Sequence, residues 1–250
     1  MSSEIQLTAS IVVYNEDLQI LEQTICSFLK VPLPKKLYII DNSPSRTKHE
    51  LFAQEEIDYR HVGKNSGFGA AHNLVIHAIE LRSKFHLILN PDVCFRPTIF
   101  RNLLKQLEEN SNVSLVCPSV VYPNGDAQVI CRMEPSLREL IARRFGMFKK
   151  YLASRQYYKL SEPFSPDFMH GCFMLFKTDD FINIGGFDER YFLYMEDADI
   201  CRKLKQSGKE ILYYPKEQIT HIHRRGSSRN MKLFYFHVIS AIRYFKKWRK

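Results

Sequence analysis

The chain has 250 residues, 45% of them hydrophobic, enough to bury the core of one large α/β domain. No run approaches the roughly 18 consecutive apolar residues of a membrane span, and Met1-Ser2-Ser3-Glu4 lacks the basic start and apolar run of a secretory leader, so a cytoplasmic chain is expected. The net charge of +9 is a C-terminal feature: residues 201–250 hold 14 Lys and Arg against 2 Asp and Glu, while the first 200 hold 22 against 25. Such a local excess points to a local anionic partner, whether a membrane surface, a phosphorylated substrate or nucleic acid.

Leu7 to Val13 is a short apolar run that predicts a buried strand. Asn15-Glu16-Asp17 opens a helix through Leu18, Leu21, Ile25 and Leu29, which Pro32 ends. Leu37 to Ile40 is a second strand, stopping at Asp41-Asn42-Ser43-Pro44, and Asp58 to Val62 a third. The third runs into Gly63-Lys64-Asn65-Ser66-Gly67-Phe68-Gly69, then a helix through Leu81. Phe85 to Leu89 is a fourth strand and stops at Asn90-Pro91-Asp92; helix Thr98 to Glu109 and strand Val113 to Val121 follow. Pro123-Asn124-Gly125-Asp126 is a turn, and residues 146–166 read as a mobile excursion. Phe168 to Phe176 is strand-like, Glu196 to Gln206 a helix closed by Gly208, and Ile211 to Tyr214 a strand. None of Cys26, Cys94, Cys117, Cys131, Cys172 and Cys201 forms a CxxC pair, so reduced core residues rather than zinc ligands are expected.

Strands alternating with helices at this spacing predict a mostly parallel, twisted sheet flanked by helices. Ligands in such sheets bind beyond the carboxyl ends of the strands. Asp41, the Gly63–Gly69 loop and Asn90–Asp92 all fall on that rim.

Four constellations could carry chemistry. Asp92, at the mouth of a buried strand, suits a hard cation such as Mg²⁺ or Mn²⁺, though Asn-Pro-Asp is also an ordinary turn. Glu196-Asp197-Ala198-Asp199 offers a general base, or simply acids favoured by a helix N-terminus. The Gly63–Gly69 loop lets backbone approach a ligand but matches neither a P-loop nor GxGxxG. His221 and His223 alternate on a strand and could reach a metal, with Arg224 and Arg225 clamping phosphates; the bland reading is a solvated basic face. Finally, Met231 to Lys250 is a basic amphipathic helix that suits an anionic membrane, or packs its apolar side on the domain.

Taken in order, these segments resemble the inverting glycosyltransferases of family 2, with the GT-A fold. The resemblance runs from Thr8 to Ser228. It rests on Val13-Tyr14-Asn15, Ile40-Asp41-Asn42-Ser43, Asn65-Ser66-Gly67-Phe68-Gly69-Ala70-Ala71-His72-Asn73, Leu89-Asn90-Pro91-Asp92, Gly171-Cys172-Phe173-Met174-Leu175, Gly185-Gly186-Phe187-Asp188-Glu189 and Tyr194-Met195-Glu196-Asp197-Ala198-Asp199. The Asn-x-Gly-Phe-Gly, Asn-Pro-Asp and Glu-Asp-x-Asp forms look most like bacterial rhamnosyltransferases of O-antigen synthesis.

The resemblance implies roles. Residues 1–95 would form a nucleotide-sugar-binding half, residues 96–228 an acceptor and catalytic half, and residues 229–250 the basic helix. Tyr14, Asn15, Asp41, Asn65, Gly67, Phe68, Asn73, Asn90, Arg224 and Arg225 would hold the nucleotide sugar. Asp92, with His221 or His223, would hold the divalent metal. Asp197 or Glu196 would be the base. The family's Asp-x-Asp metal motif begins here with Asn90, which leaves one carboxylate. The implied donor is dTDP-L-rhamnose, with UDP-galactofuranose or a UDP-hexose as alternatives. The implied acceptor is a lipid-diphosphate-linked saccharide at the inner face of the cell membrane. A nucleotidyltransferase would carry a Gly-rich basic loop where Tyr14-Asn15-Glu16-Asp17 stands, and a nucleic-acid binder would not place acids on the rim, so no nucleic acid is expected.

Overall fold

The structure, a computed structural model, describes residues 5–80, 83–145, 148–157, 161–222 and 231–249. The first half runs β1 (Leu7–Val13), α1 (Leu18–Leu29), β2 (Lys35–Asp41), a 3-10 turn (Glu50–Ala53), β3 (Ile57–His61), α2 (Phe68–Asn73), α3 (Ile76–Glu80), β4 (Phe85–Leu89), β5 (Val93–Phe95), α4 (Ile99–Glu109) and β6 (Val113–Val121). The second half runs β7 (Cys131–Arg132), α5 (Leu137–Phe145), α6 (Lys149–Ser154), β8 (Phe168–Met169), β9 (Phe173–Lys177), α7 (Thr178–Asn183), α8 (Glu196–Gln206), β10 (Glu210–His221) and α9 (Met231–Lys247).

Eight strands form one sheet in the order β3-β2-β1-β4-β9-β6-β10-β5. Six run parallel to one another, as the alternation predicts; β9 and β5 run against them and make the sheet mixed. β4 is buried along its whole length and β1 and β2 along most of theirs, the pattern of strands covered on both faces. α1 starts where Asp17 caps it, the side chain accepting from the Gln19 amide at 3.0 Å.

Three expectations change on folding. The run Phe168 to Phe176 is two strands: β8 pairs with β7 in a separate ribbon, and β9 joins the main sheet between β4 and β6. The helix after the glycine loop is broken into α2 and α3 at Leu74, and residue 81 lies outside the described residues. β10 continues past Pro215, which has no N–H for the ladder; the register with β6 slips between Tyr214 and Gln218 and then resumes to His221. Where described, residues 146–166 contain α6 and a bridge from Phe164 to Tyr213.

A polar network lies inside this core. Thr8 Oγ1 sits 2.8 Å from His86 Nδ1, and Ser10 Oγ sits 3.0 Å from His86 Nε2 and 2.7 Å from His72 Nδ1. Burial holds both imidazoles neutral: His86 falls to about 3 and His72 well below its ordinary value.

α9 is docked on the domain rather than trailing from it. Its Ser240, Ala241 and Tyr244 are buried. Asp199, fully buried on α8, accepts from Lys247 Nζ at 2.8 Å, from Trp248 Nε1 at 2.8 Å and from Tyr191 Oη at 3.1 Å.

Candidate active site

The sheet brings one end of its strands to a common rim. Asp41 ends β2, Asn90–Asp92 follows β4, His221 ends β10, and the segment before antiparallel β9 arrives there because Phe173 pairs with Leu89. The Asn90 amide donates to the Cys172 carbonyl at 2.9 Å and fastens two of these segments together.

On the β2 side, Asp41 is sealed from solvent. Its carboxylate accepts from the Ser43 amide at 2.9 Å, the Thr47 amide at 2.9 Å and Tyr59 Oη at 2.5 Å. Burial alone would raise this acid, but hydrogen bonds from Ser43, Tyr59 and Thr47 outweigh it and hold the group at about 2. The immediate work of Asp41 is therefore to fold the 43–47 loop. Asn42 ties that loop to the glycine turn, donating to the Gly67 carbonyl at 3.3 Å. Asn65 Oδ1 accepts from the Gly67 amide at 3.0 Å, and the Asn15 amide donates to Ser43 Oγ at 2.9 Å from a left-handed backbone with φ 53°. Tyr14 beside it is exposed.

Gly67 has φ 91°, and a Cβ there would lie 2.4 Å from the Phe192 carbonyl oxygen; only glycine lets the turn meet the 187–195 segment this closely. Phe68, next along, donates its amide to that same carbonyl at 3.1 Å. Asn73, expected at the nucleotide sugar, ties α2 to the 187–189 segment. Its Oδ1 accepts from the Phe187 amide at 2.9 Å, and its Nδ2 donates to the Phe187 carbonyl at 2.8 Å and to Glu189 at 3.0 Å.

Asp92 and His221 meet, with Oδ1 3.2 Å from Nε2. β5 and β10 pair antiparallel with Val93 opposite His221, and the Ile222 amide donates to the Asp92 carbonyl at 2.9 Å. Burial works against an imidazolium here, yet the Asp92 carboxylate and then the Cys172 sulfur raise His221 to about 10. Two donor atoms 3.2 Å apart can share one small cation at about 2.1 Å from each, so the pair fits the expected metal. Among the described residues no group of three or more His, Cys, Asp or Glu gathers to hold an ion. A cation here would take its remaining ligands from substrate and water, as Mg²⁺ commonly does. His223, Arg224 and Arg225 lie outside the described residues.

The acidic helix start faces the same rim. Two consecutive non-glycine residues, Tyr194 and Met195, both with φ 70°, turn the chain into α8. Such paired left-handed residues are uncommon and cluster at functional sites. Glu196 is buried, its Oε2 has no hydrogen-bond partner among the described residues, and burial followed by the adjacent Asp197 carboxylate pushes it up to about 8. Both effects favour its protonated form. Asp197 is half-buried, its Oδ1 accepting from the Ala198 amide at 2.8 Å. A Cβ on Gly171 would lie 3.6 Å from the Asp197 Cβ and 3.8 Å from the Phe68 ring. A continuous chain of contacts thus links Asp41, Asn42, Gly67, Phe68, Gly171 and Asp197, and the neighbouring Cys172 reaches His221, which in turn pairs with Asp92. Gln128, which no sequence motif marked, completes the His221 environment at 3.0 Å from Nδ1.

The family model described as glycosyl transferase family 2 matches residues 8–185, and one described as the N-terminal domain of galactosyltransferase matches residues 153–225. Rhamnosyltransferase WbbL of Escherichia coli (strain K12) is 27% identical over 191 residues, 73% of this chain and 71% of that protein. The N-acetylglucosaminyl-diphospho-decaprenol L-rhamnosyltransferase of Mycobacterium tuberculosis (strain CDC 1551 / Oshkosh) is 25% identical over 213 residues, 79% and 69% of the two chains. Among solved structures, GalNAc-T7 with UDP, GalNAc and Mn²⁺ superposes with a TM-score of 0.66 at 15% identity, covering 89% of this chain and 44% of that one. The mannosyltransferase PcManGT from Pyrobaculum calidifontis, in complex with GDP-Man and Mn²⁺, gives 0.62 at 16% identity, covering 97% and 65%. The chain belongs to glycosyl transferase family 2 and is a glycosyltransferase of GT-A fold.

Proposed function

We propose that the chain transfers L-rhamnose from dTDP-L-rhamnose, with inversion, to a lipid-diphosphate-linked saccharide in bacterial surface polysaccharide synthesis. The observation that carries the reading is the placement of the Asp92–His221 pair and Asp197 on one rim, joined through Gly171 and Cys172. The rhamnosyltransferase relatives support the sugar, and the diphospho-decaprenol in one relative's name supports the acceptor class. In this reading residues 1–95 hold the nucleotide, with the 43–47 loop and the Asn65–Phe68 turn against the base and sugar. Asp92 and His221 hold the divalent metal, Mg²⁺ or Mn²⁺, which supplies neutralising charge for the diphosphate.

Asp197 takes the proton from the acceptor hydroxyl: it is half-buried beside Gly171, whereas Glu196 is buried and its environment favours the protonated form. The freed oxygen attacks the anomeric carbon opposite the diphosphate. Phe68 and Gly171 border the space beside Asp197 and limit the attacking geometries. The galactosyltransferase match over residues 153–225 favours a UDP-hexose or UDP-galactofuranose donor as the second reading. A thermal-shift screen of dTDP-rhamnose, UDP-galactofuranose and UDP-hexoses, with and without Mn²⁺, separates the two, since the bound donor raises the apparent stability.

Attachment to an anionic membrane belongs to the same proposal. No described helix is long and apolar enough to cross a bilayer. On α9, Met231, Tyr235, Val238 and Ile242 are between 39% and 71% exposed, and their 4-3-4 spacing makes one outward stripe. Exposed Lys232, Arg243, Lys246 and Arg249 accompany it. An apolar stripe with cations alongside suits the interface of an anionic bilayer, on the cytoplasmic side where a lipid-linked acceptor is reached.

A further inference from the structure

We propose that Gln128 is a positioning residue that fixes His221 in the tautomer and ring orientation needed to hold the cation. The proposal rests on the reading of Asp92 and His221 as the metal site. Gln128 lies on the return of the hairpin after β6, where its amide donates to the Val120 carbonyl at 2.8 Å and Ala127 bridges to Val121. The backbone therefore sets where its side chain begins. That side chain spans the gap to the end of β10. Nε2 donates to the His221 carbonyl at 2.7 Å and to the Val121 carbonyl at 3.3 Å, and Oε1 sits 3.0 Å from His221 Nδ1.

These contacts determine a proton position by elimination. Two backbone carbonyls can only accept, so the Gln128 group facing them must be its NH₂; the flipped amide would set oxygen against oxygen. Oε1 is then the atom facing Nδ1, and an amide oxygen only accepts, so Nδ1 carries a hydrogen. The proton a cation displaces is therefore the one on Nε2, 3.2 Å from Asp92 Oδ1, and the neutral ring that results presents its lone pair there. The clamp holds the ring at Nδ1 and its backbone at the carbonyl, so neither rotation nor a ring flip is free. Metal-ligating histidines are commonly oriented this way through the nitrogen that does not touch the ion. Here a neutral amide from a different strand connection does it.

The test measures Mn²⁺ binding directly, from the free-ion electron paramagnetic resonance signal, with dTDP present. Gln128→Leu is expected to weaken Mn²⁺ about 10-fold, at the low end of such outer contacts. His221→Ala should weaken it at least as much, and the double variant no further than His221→Ala alone. Gln128→Asn, too short to reach the ring, serves if the Leu variant does not fold. Gln128→Glu turns an acceptor toward two carbonyls and should lower Tm, yet it still accepts from Nδ1 and should keep Mn²⁺ affinity within about 3-fold of the parent. A purely structural Gln128 would make affinity follow Tm across these variants. Wild-type Mn²⁺ affinity in Gln128→Leu, or a full additional loss on top of His221→Ala, overturns the proposal while leaving the metal site standing. Unchanged affinity in His221→Ala overturns both.

Discussion

Asp92 and His221 lie more than half the chain apart in sequence and 3.2 Å apart in space, because β5 doubles back beside the last strand of the sheet. This juxtaposition answers the missing carboxylate at Asn90. In the proposed metal site the second protein ligand is the His221 imidazole delivered by β10, and Asn90 acts through its backbone, fastened to Cys172. Asp197, at the start of α8, lies against Gly171 beside Cys172, so the groups proposed for the leaving group and for the acceptor are held by neighbouring segments.

Glu196 predicts a pH signature. Its folded value, raised to about 8 by burial and then by Asp197, stands above its ordinary 4.5. The stability it contributes is present below pH 4.5 and is lost as pH rises toward 8. Glu196→Gln keeps the shape without the charge. Chemical denaturation should show the variant gaining on the parent as pH rises across this window; a pH-independent difference contradicts it.

The buried histidines act in the opposite direction. His72 and His86 are held below 6.5 by burial, with His86 at about 3. Their neutral forms contribute stability that is present above pH 6.5 and lost as pH falls toward 3. Each unfilled proton site adds a slope of about 1.4 kcal/mol per pH unit. His86→Gln should reduce the acid-side slope between pH 6 and 5 by roughly that amount, measured by urea titrations at several pH values. An unchanged slope refutes the assignment.

Two glycines should part company. Gly67→Ala meets the Phe192 carbonyl at 2.4 Å with φ 91° and should cost about 3 kcal/mol of stability. Gly171→Ala makes only ordinary contacts, at 3.6 Å to Asp197 Cβ. It should change stability by less than about 1 kcal/mol while lowering kcat/KM, since the methyl narrows the space beside the proposed base. Calorimetry and steady-state kinetics on both variants decide it.

The α9 stripe predicts lipid binding that is separable from folding. Val238→Glu with Ile242→Glu should abolish co-sedimentation with anionic vesicles and leave Tm nearly unchanged, because both residues are exposed. Deleting the helix is a poorer test: it strips Asp199 of the Lys247 and Trp248 donors and leaves a buried carboxylate underpaired. Persistent vesicle binding by the double variant contradicts the membrane reading.

Much of this architecture is legible in the chain. The strands before Asp41 and Asn90, and the helix Glu196–Gln206, follow from apolar runs closed by polar residues and from acids at a helix start. What was not legible is what depends on contacts distant in sequence. β5 is three residues long, too short for any period to register. The Asn73 amide reads like a ligand group until the 187–189 segment folds onto it. Gln128 carries no motif, and its role exists only once β6 and β10 are neighbours. Asp199, read as one of three helix-start acids, anchors α9.

The most direct test of the account follows Asp197→Asn and Asp92→Ala side by side, with donor affinity and sugar transfer measured on the same preparations in Mn²⁺. Asp197→Asn should keep donor binding within about 3-fold and lose transfer by 10²–10⁴-fold, the range of a removed general base; Asp92→Ala should lose the Mn²⁺-dependent part of donor binding. Near-parental transfer by Asp197→Asn, or full metal-dependent donor affinity in Asp92→Ala, would contradict it.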